Sequence, residues 1–214
     1  MNSLQPKTCL VLCNNFLHLC RKTTGMYLRF VKPILDFFLA FIGLVFLFPL
    51  FIIISIVLLF IHRGKVFFLQ QRIGKNACLF TIIKFKTIKE DGKAHAFLRF
   101  LRKSKLDEIP QLLNVLKGEM SIVGPRPDIP GYYDQIESKY QSILDLKPGL
   151  TGWASLKYIN EEALLQQQEN PIKYNDEVLF PHKLEINLKY RREVSLLVDI
   201  KIILDTVFLP FRKK

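Results

Sequence analysis

Hydrophobic and polar positions divide the chain into two unequal parts. Residues 34–61 are almost entirely apolar, with Asp36 as the only charge near the start and Pro49 near the middle. A bilayer core is roughly 30 Å thick and a helix needs about 20 residues to cross it, so this block is long enough to enter or span a membrane. Proline inside a helix removes one backbone hydrogen bond and crowds the preceding turn, which predicts a bend at Pro49. Beyond Gly64 the period changes. Residues 66–69 and 79–85 read as aromatic and β-branched strands, and Gly74-Lys75-Asn76 supplies the turn between them. Residues 94–103 place Phe97, Leu98 and Leu101 at helical spacing among basic residues. A further helix is predicted to start near Leu106 or Asp107, because Pro110 is tolerated only in a first turn. Ser104 stands three residues before Asp107, a capping-box spacing. Ile109, Leu112, Leu113 and Leu116 then share one face, and Gly118 ends the helix. Residues 121–123 form a brief strand, 132–146 a polar-faced helix, and 157–180 a helix followed by a loop. Apolar residues return at helical spacing over 184–208. The chain is therefore expected to be α+β: a kinked apolar helix, then a small domain with a β-hairpin and several helices.

Charge brackets the apolar block. Arg21, Lys22, Arg29 and Lys32 precede it, and Arg63, Lys65, Arg72, Lys75, Lys84 and Lys86 follow it. Lysine and arginine are in excess on cytoplasmic flanks, and here both flanks qualify. A re-entrant helix that enters, bends at Pro49 and leaves by the same face satisfies both. A kinked single span stays open as the alternative, because proline is tolerated in spans. The 214 residues carry a formal net charge of +12, which points to anionic lipid or phosphorylated substrates. No helix-turn-helix, zinc-finger or aromatic RNA-binding signature accompanies it, so no nucleic acid is expected. Cys9, Cys13, Cys20 and Cys78 fit reduced thiols, and their spacing is unlike a zinc site. The expected organisation is a dispensable extension at 1–25, the membrane helix with its flank at 26–62, and one domain at 63–214. The final helix either lies in the membrane interface or packs into the domain.

The run LDEIPQLLNVLKGEMSIVGPRP carries the candidate chemistry. Asp107 and Glu108 fall in the first turn of the predicted helix, where the positive end of the dipole keeps a carboxylate ionised. Such a group binds Mg²⁺, acts as a base or attacks phosphorus; acidic residues are also common in first turns without any such role. Pro125 and Pro127 leave Arg126 little backbone freedom. That suits an arginine aimed at phosphate, or a stiff surface turn. Lys84 and Lys86 lie two apart on a strand and share a face, either solvated or facing phosphate. Gly149 and Gly152 permit close approach or positive φ.

Together with FFLQQRIGKNACLFTIIKFKT before it and KPGLTGWA after it, this run resembles the bacterial sugar transferases, the small monotopic phosphoglycosyl transferases. The resemblance covers residues 26–208. It implies transfer of a sugar 1-phosphate from a UDP-sugar to undecaprenyl phosphate with release of UMP, the first membrane step of a surface glycan. The family's adjacent Asp-Glu pair aligns with Asp107 and Glu108. Asp107 is then the nucleophile of a phosphosugar–aspartyl intermediate. Glu108 assists, as base for the incoming lipid phosphate, and Mg²⁺ binds at the pair. Arg102 and Arg126 match arginines near the substrate phosphates, with Lys84 and Lys86 beside them. Pro49 matches the proline that breaks the family's re-entrant helix, and the C-terminal helices lie at the membrane surface.

The expected setting is the bacterial inner membrane with the catalytic domain, 63–214, facing the cytoplasm. Membrane lipids and downstream glycosyltransferases are the further expected partners. The chain departs from the family in Phe48, where a small polar residue often precedes the proline, and in Lys86, which replaces an arginine fork. Two other readings stand beside this one: a catalytically silent membrane scaffold for glycan assembly enzymes, and a transferase that uses a purine nucleotide sugar.

Overall fold

The computed structural model describes residues 25–88 and 95–209. The predicted extension before Gly25, with Cys9, Cys13 and Cys20, lies outside the described residues. A π-helical turn, Tyr27–Val31, leads into α1, Lys32–Ile61. Hydrogen-bonded helix continues through Pro49 rather than breaking there. By length and composition this is the one helix among the described residues able to cross a membrane. It is not buried in a core as a soluble helix would be. Lys32, Asp36, Ala40, Ile54 and Leu58 are buried, and Leu44, Leu47, Leu50, Phe51 and Ile61 pack partly buried between and beyond them. Steps of three and four make this a single stripe. The remaining faces expose Phe38, Ile42, Phe46, Ile53 and Phe60.

The hairpin forms as expected, with the first strand longer and the second as read. β1, Phe67–Ile73, pairs antiparallel with β2, Leu79–Phe85, in a register that sets Phe67 opposite Phe85 and Arg72 opposite Phe80. Asn76 and Ala77 turn the chain with φ of 55° and 58°. Phe67 and Phe85 stack at 5.8 Å between centroids, and Phe51 of α1 sits 5.1 Å from the Phe85 ring. The hairpin is thereby fixed against the long helix.

α2, Ala96–Lys103, is followed by a 3-10 turn, Leu106–Glu108, and by α3, Gln111–Leu116. α3 thus starts later than the sequence suggests. Pro110 has no N–H to give, and Ser104 does not cap Asp107: its hydroxyl donates back to Phe100 O and Leu101 O at the end of α2. Gly118 ends α3 as expected, with φ of 78°.

β3, Ser121–Val123, runs parallel to β4, Gly149–Thr151. This crossing needs glycine. A Cβ on Gly149 would overlap the backbone of Gly124, and one on Gly124 would overlap Lys147 O. Residues 132–146 are not one α-helix; they form 3-10 turns at Tyr133–Gln135 and Ser138–Asp145.

α4, Trp153–Lys157, α5, Glu161–Gln166, and α6, Pro171–Tyr174, follow, so the stretch read as helix then loop is a series of short helices. A π turn, Asn175–Leu179, joins α6 to α7, Phe180–Glu193. The C-terminal pattern is thus two helices. Ser195 interrupts it and caps α8, Leu196–Val207, accepting from Val198 N at 3.4 Å.

A buried polar clasp joins α8 to the start of α1. Lys32 Nζ and Tyr27 Oη donate to Asp199 Oδ2 at 2.5 and 2.7 Å, and Tyr190 Oη donates to Asp199 Oδ1 at 2.6 Å. Asp36 Oδ1 accepts from Ile122 N at 2.9 Å. Both halves of α1 therefore pack on the same α+β body, Lys32 and Asp36 at one end and Ile54 and Leu58 at the other.

Candidate active site

Three elements converge on Glu108. Arg126, in the stiff Gly-Pro-Arg-Pro loop after β3, donates to Oε1 from Nη2 at 2.6 Å and to Oε2 from Nη1 at 3.5 Å. Lys84 of β2 donates to Oε1 at 3.1 Å. Burial alone would raise the Glu108 carboxyl, but the Arg126 and Lys84 charges overcome it and hold the carboxyl down at about 2. Burial lowers the Lys84 ammonium despite the Glu108 charge.

Asp107 sits in the opposite environment. It is buried, and its Oδ1 has no hydrogen-bond partner. Burial, then the adjacent Glu108 charge, push its carboxyl up to about 6, against the pull of Lys84 and Lys105. The turn that carries it is set by Lys105, which takes the left-handed conformation at φ 59°. The result is one carboxylate gripped at Oε1 by two cations beside one with an unpartnered oxygen.

Lys84 and Arg126 also line a cavity of about 350 Å³ with Arg72, Gln111, Asp128, Tyr132, Ser155, Glu161, Asn175, Lys183 and Asn187. Arg72 is a third cation at this site, 3.8 Å from Asp128. Hairpin register explains it. Partners across an antiparallel pair share a face, as do residues two apart, so Arg72, opposite Phe80, lies on the face of Ile82 and Lys84. The sequence reading placed Arg72 only among flanking charges. Its alternation with Lys84 was the available signal, but that signal needs the register.

Two expected residues fall elsewhere. Arg102 is exposed and donates to Glu162 of α5 at 2.8 Å, and it does not line the cavity. Lys86 lies past the end of β2, where its N–H donates to Val66 O at 2.8 Å, and it too is absent from the lining. Asp107, Glu108, Lys84 and Arg126 are the residues brought together.

A long, apolar, largely exposed helix, a basic cavity and a carboxylate pair held by two cations stand together in one body. The Bacterial sugar transferase family model matches residues 27–213, and the chain belongs to that family. It is 34% identical over 84% of its length to a UDP-glucose:undecaprenyl-phosphate glucose-1-phosphate transferase of Xanthomonas campestris pv. campestris, covering 38% of that protein. It is 32% identical over 87% of its length to the protein of that name in Escherichia coli, strain K12, covering 41% of it. The chain thus spans about two fifths of the length of these relatives. The exopolysaccharide production protein ExoY of Sinorhizobium fredii is similar over more of its own length, 30% identical across 82% of this chain and 83% of that protein.

Proposed function

We propose that this chain is a polyprenyl-phosphate sugar-1-phosphate transferase that works at the cytoplasmic face of the bacterial inner membrane. It moves a sugar 1-phosphate from a UDP-sugar to undecaprenyl phosphate and releases UMP, opening the assembly of a surface glycan. The observation that carries this reading is the buried, unpartnered Asp107 Oδ1 beside a Glu108 already gripped by Arg126 and Lys84.

The steps follow from those two environments. Asp107 attacks the sugar-bearing phosphorus; the bond to the bridging oxygen breaks, and its electron pair leaves with UMP. An oxygen of undecaprenyl phosphate then attacks the same phosphorus, and the aspartyl–phosphorus bond breaks to restore the Asp107 carboxylate. A two-step route lets one site serve both substrates in turn. With a dianionic lipid phosphate no proton has to move, and a carboxyl held at about 2 is a poor proton acceptor near neutrality. The geometry therefore favours Glu108 as the anchor that positions Arg126 and Lys84, rather than as a base. Those cations, with Arg72, face the charge of a diphosphate in a partly water-excluded site, where fixed charge counts most.

Magnesium fits the residues present. Mg²⁺ is commonly held by one or two carboxylates with substrate phosphates completing its shell, and Asp107 Oδ1 is an open acceptor. Asp107 and Glu108 would hold it, and when bound it would neutralise charge on the diphosphate.

Two features support membrane entry and return by one face. The stripe from Lys32 to Ile61 packs on the catalytic body along both halves of α1, while the other faces stay apolar and exposed. α8 has an exposed apolar face: Asp199 and Ile202 are buried, while Leu197, Ile200, Leu204 and Val207 are exposed. That arrangement suits a helix lying in the interface.

The test is purified chain with undecaprenyl phosphate, Mg²⁺ and a panel of UDP-sugars, read by UMP release. Wild type is expected to turn over at least one donor and Asp107→Asn none. Normal turnover by Asp107→Asn would end the covalent route.

A further inference from the structure

Two carboxamides on α3 are equally buried and differently used. Asn114 is saturated: Oδ1 accepts from Ile83 N at 3.1 Å, and Nδ2 donates to Thr81 O at 2.8 Å and to Glu119 Oε2 at 2.7 Å. It ties α3 to β2. Gln111 is 2% exposed, its Nε2 has no partner, and it lines the cavity beside Lys84 and Arg126. Buried donors without partners are rare in folded proteins and each calls for an explanation, a catalytic role among them.

Position supplies that explanation. Gln111 follows Asp107 by four residues and Glu108 by three, across consecutive helical turns, the spacing at which side chains are neighbours. The unpartnered Oδ1 of Asp107 is also in this turn, and the Oγ of Ser155, on α4, is unpartnered at the same cavity. Most of the charge at the cavity is already engaged, although Arg72 keeps its Nε unpartnered. Arg126 and Lys84 hold Glu108, and Arg72 is tied to Gln70 and Asp128. An uncommitted neutral donor is left one turn from the nucleophile.

Resting on the phosphoglycosyl transfer reading, we propose that the Gln111 amide is a catalytic hydrogen-bond donor. Its Nε2–H donates to a non-bridging oxygen of the sugar-bearing phosphoryl group as that group passes to and from Asp107. A fixed dipole in a dry site stabilises charge there without having to reorganise during the reaction. Loss of one such donor typically costs about 10²–10³ in kcat.

Gln111→Met tests the idea in the full chain, with Asn114→Leu as the structural comparison. Methionine keeps the length and volume but removes the unpaired amide. A purely structural glutamine and a catalytic one then give opposite results. The expected outcome is a kcat for UMP release about 10²-fold lower, with KM for the UDP-sugar within about threefold of wild type and a melting temperature equal to or above wild type. Asn114→Leu is expected to melt lower, because it leaves Ile83 N and Thr81 O unpaired. Gln111→Met turning over within about threefold of wild type would overturn the proposal, as would a fall in its melting temperature matching that of Asn114→Leu. Wild type measured alongside separates the two readings. An inactive wild type overturns the transferase reading itself, whereas active wild type beside active Gln111→Met overturns only the role of Gln111.

Discussion

Glu108 accepts from Arg126 and Lys84 while Asp107 Oδ1 accepts from nothing, and this difference sets the pH behaviour expected of each residue. A nucleophilic Asp107 must be ionised, and burial with the Glu108 charge pushes its carboxyl up to about 6. The rate of UMP release at low donor concentration is therefore expected to fall about tenfold per pH unit on the acid side of that value. A flat profile down to pH values near an ordinary aspartate would refute the assignment. Stability should move the other way. The carboxyl titrates higher folded than unfolded, so the stability it contributes is full below an ordinary aspartate's 3.8 and is lost as pH rises through about 6. That difference is worth about 3 kcal/mol. Asp107→Asn, neutral at every pH, should then melt a few degrees above wild type at neutral pH while losing turnover, and the gap should close in acid. Glu108→Gln should do the reverse. It strands Lys84 and Arg126, and breaking a buried pair costs about 3–5 kcal/mol. Arg126 is 39% exposed, which places the expected cost toward the low end, seen as a lower melting temperature with reduced activity.

The hairpin was legible in the sequence because its aromatic and β-branched runs flank a Gly-Lys-Asn turn, and each of these is a local signal. α3 was legible in its apolar face but not in its start, since Ser104 had two uses and only tertiary structure shows that it turns back to α2. Residues 132–146 became 3-10 turns, and polar periodicity alone does not separate those from α-helix. Asp107, Glu108, Arg102 and Arg126 were named through the resemblance and Lys84 and Lys86 on the strand, and of these the meeting of Lys84 and Arg126 at Glu108 was legible. Arg72 and the Arg102–Glu162 pair were not, because each depends on a register or a long-range contact. The role of Gly149 was half legible: close approach was one of two options given for it and Gly152, and the β3–β4 crossing on Gly124, which the sequence did not single out, selects it. Gly149→Ala should therefore prevent folding or lower the melting temperature severely, because the added Cβ meets backbone that has nowhere to move. Gly43→Ala is the counterpart. Its Cβ would meet only the Leu112 side chain, Cδ1 at 3.7 Å and Cδ2 at 3.9 Å, and alanine is favoured over glycine in a helix by about 1 kcal/mol. A melting curve at or above wild type is expected for Gly43→Ala, and similar curves for the two variants would show that the crossing tolerates a side chain.

At the scale of the whole molecule, the proposed reaction requires the fold to bring a cytoplasmic nucleotide sugar and a lipid-anchored acceptor to one carboxylate. A straight helix of 30 residues is about 45 Å long at 1.5 Å per residue, more than the roughly 30 Å of a bilayer core. In a plain span most of that length would leave the catalytic domain behind. Here the buried stripe keeps contact with it from Lys32 to Leu58, and the clasp of Lys32, Tyr27 and Tyr190 on Asp199 fixes the entering end to α8. The leaving end is held by Phe51 and the hairpin. The proposed re-entry puts both ends on the cytoplasmic side, in agreement with the basic flanks. Single cysteines at Arg29 and Lys65, both exposed, test this in a background without Cys9, Cys13, Cys20 and Cys78. A membrane-impermeant maleimide is expected to label both in inverted vesicles and neither in intact spheroplasts. Labelling of one from each side would establish a plain span. The clasp gives a second readout from the same vesicles. Asp199→Asn takes from buried Lys32 the nearer of its two carboxylates and leaves only Asp36, at 4.0 Å, and it should loosen the entering end and raise the labelling rate at Arg29→Cys while leaving that at Lys65→Cys unchanged. Equal acceleration at both positions would mean that Asp199 serves the domain as a whole and not the attachment of the membrane helix.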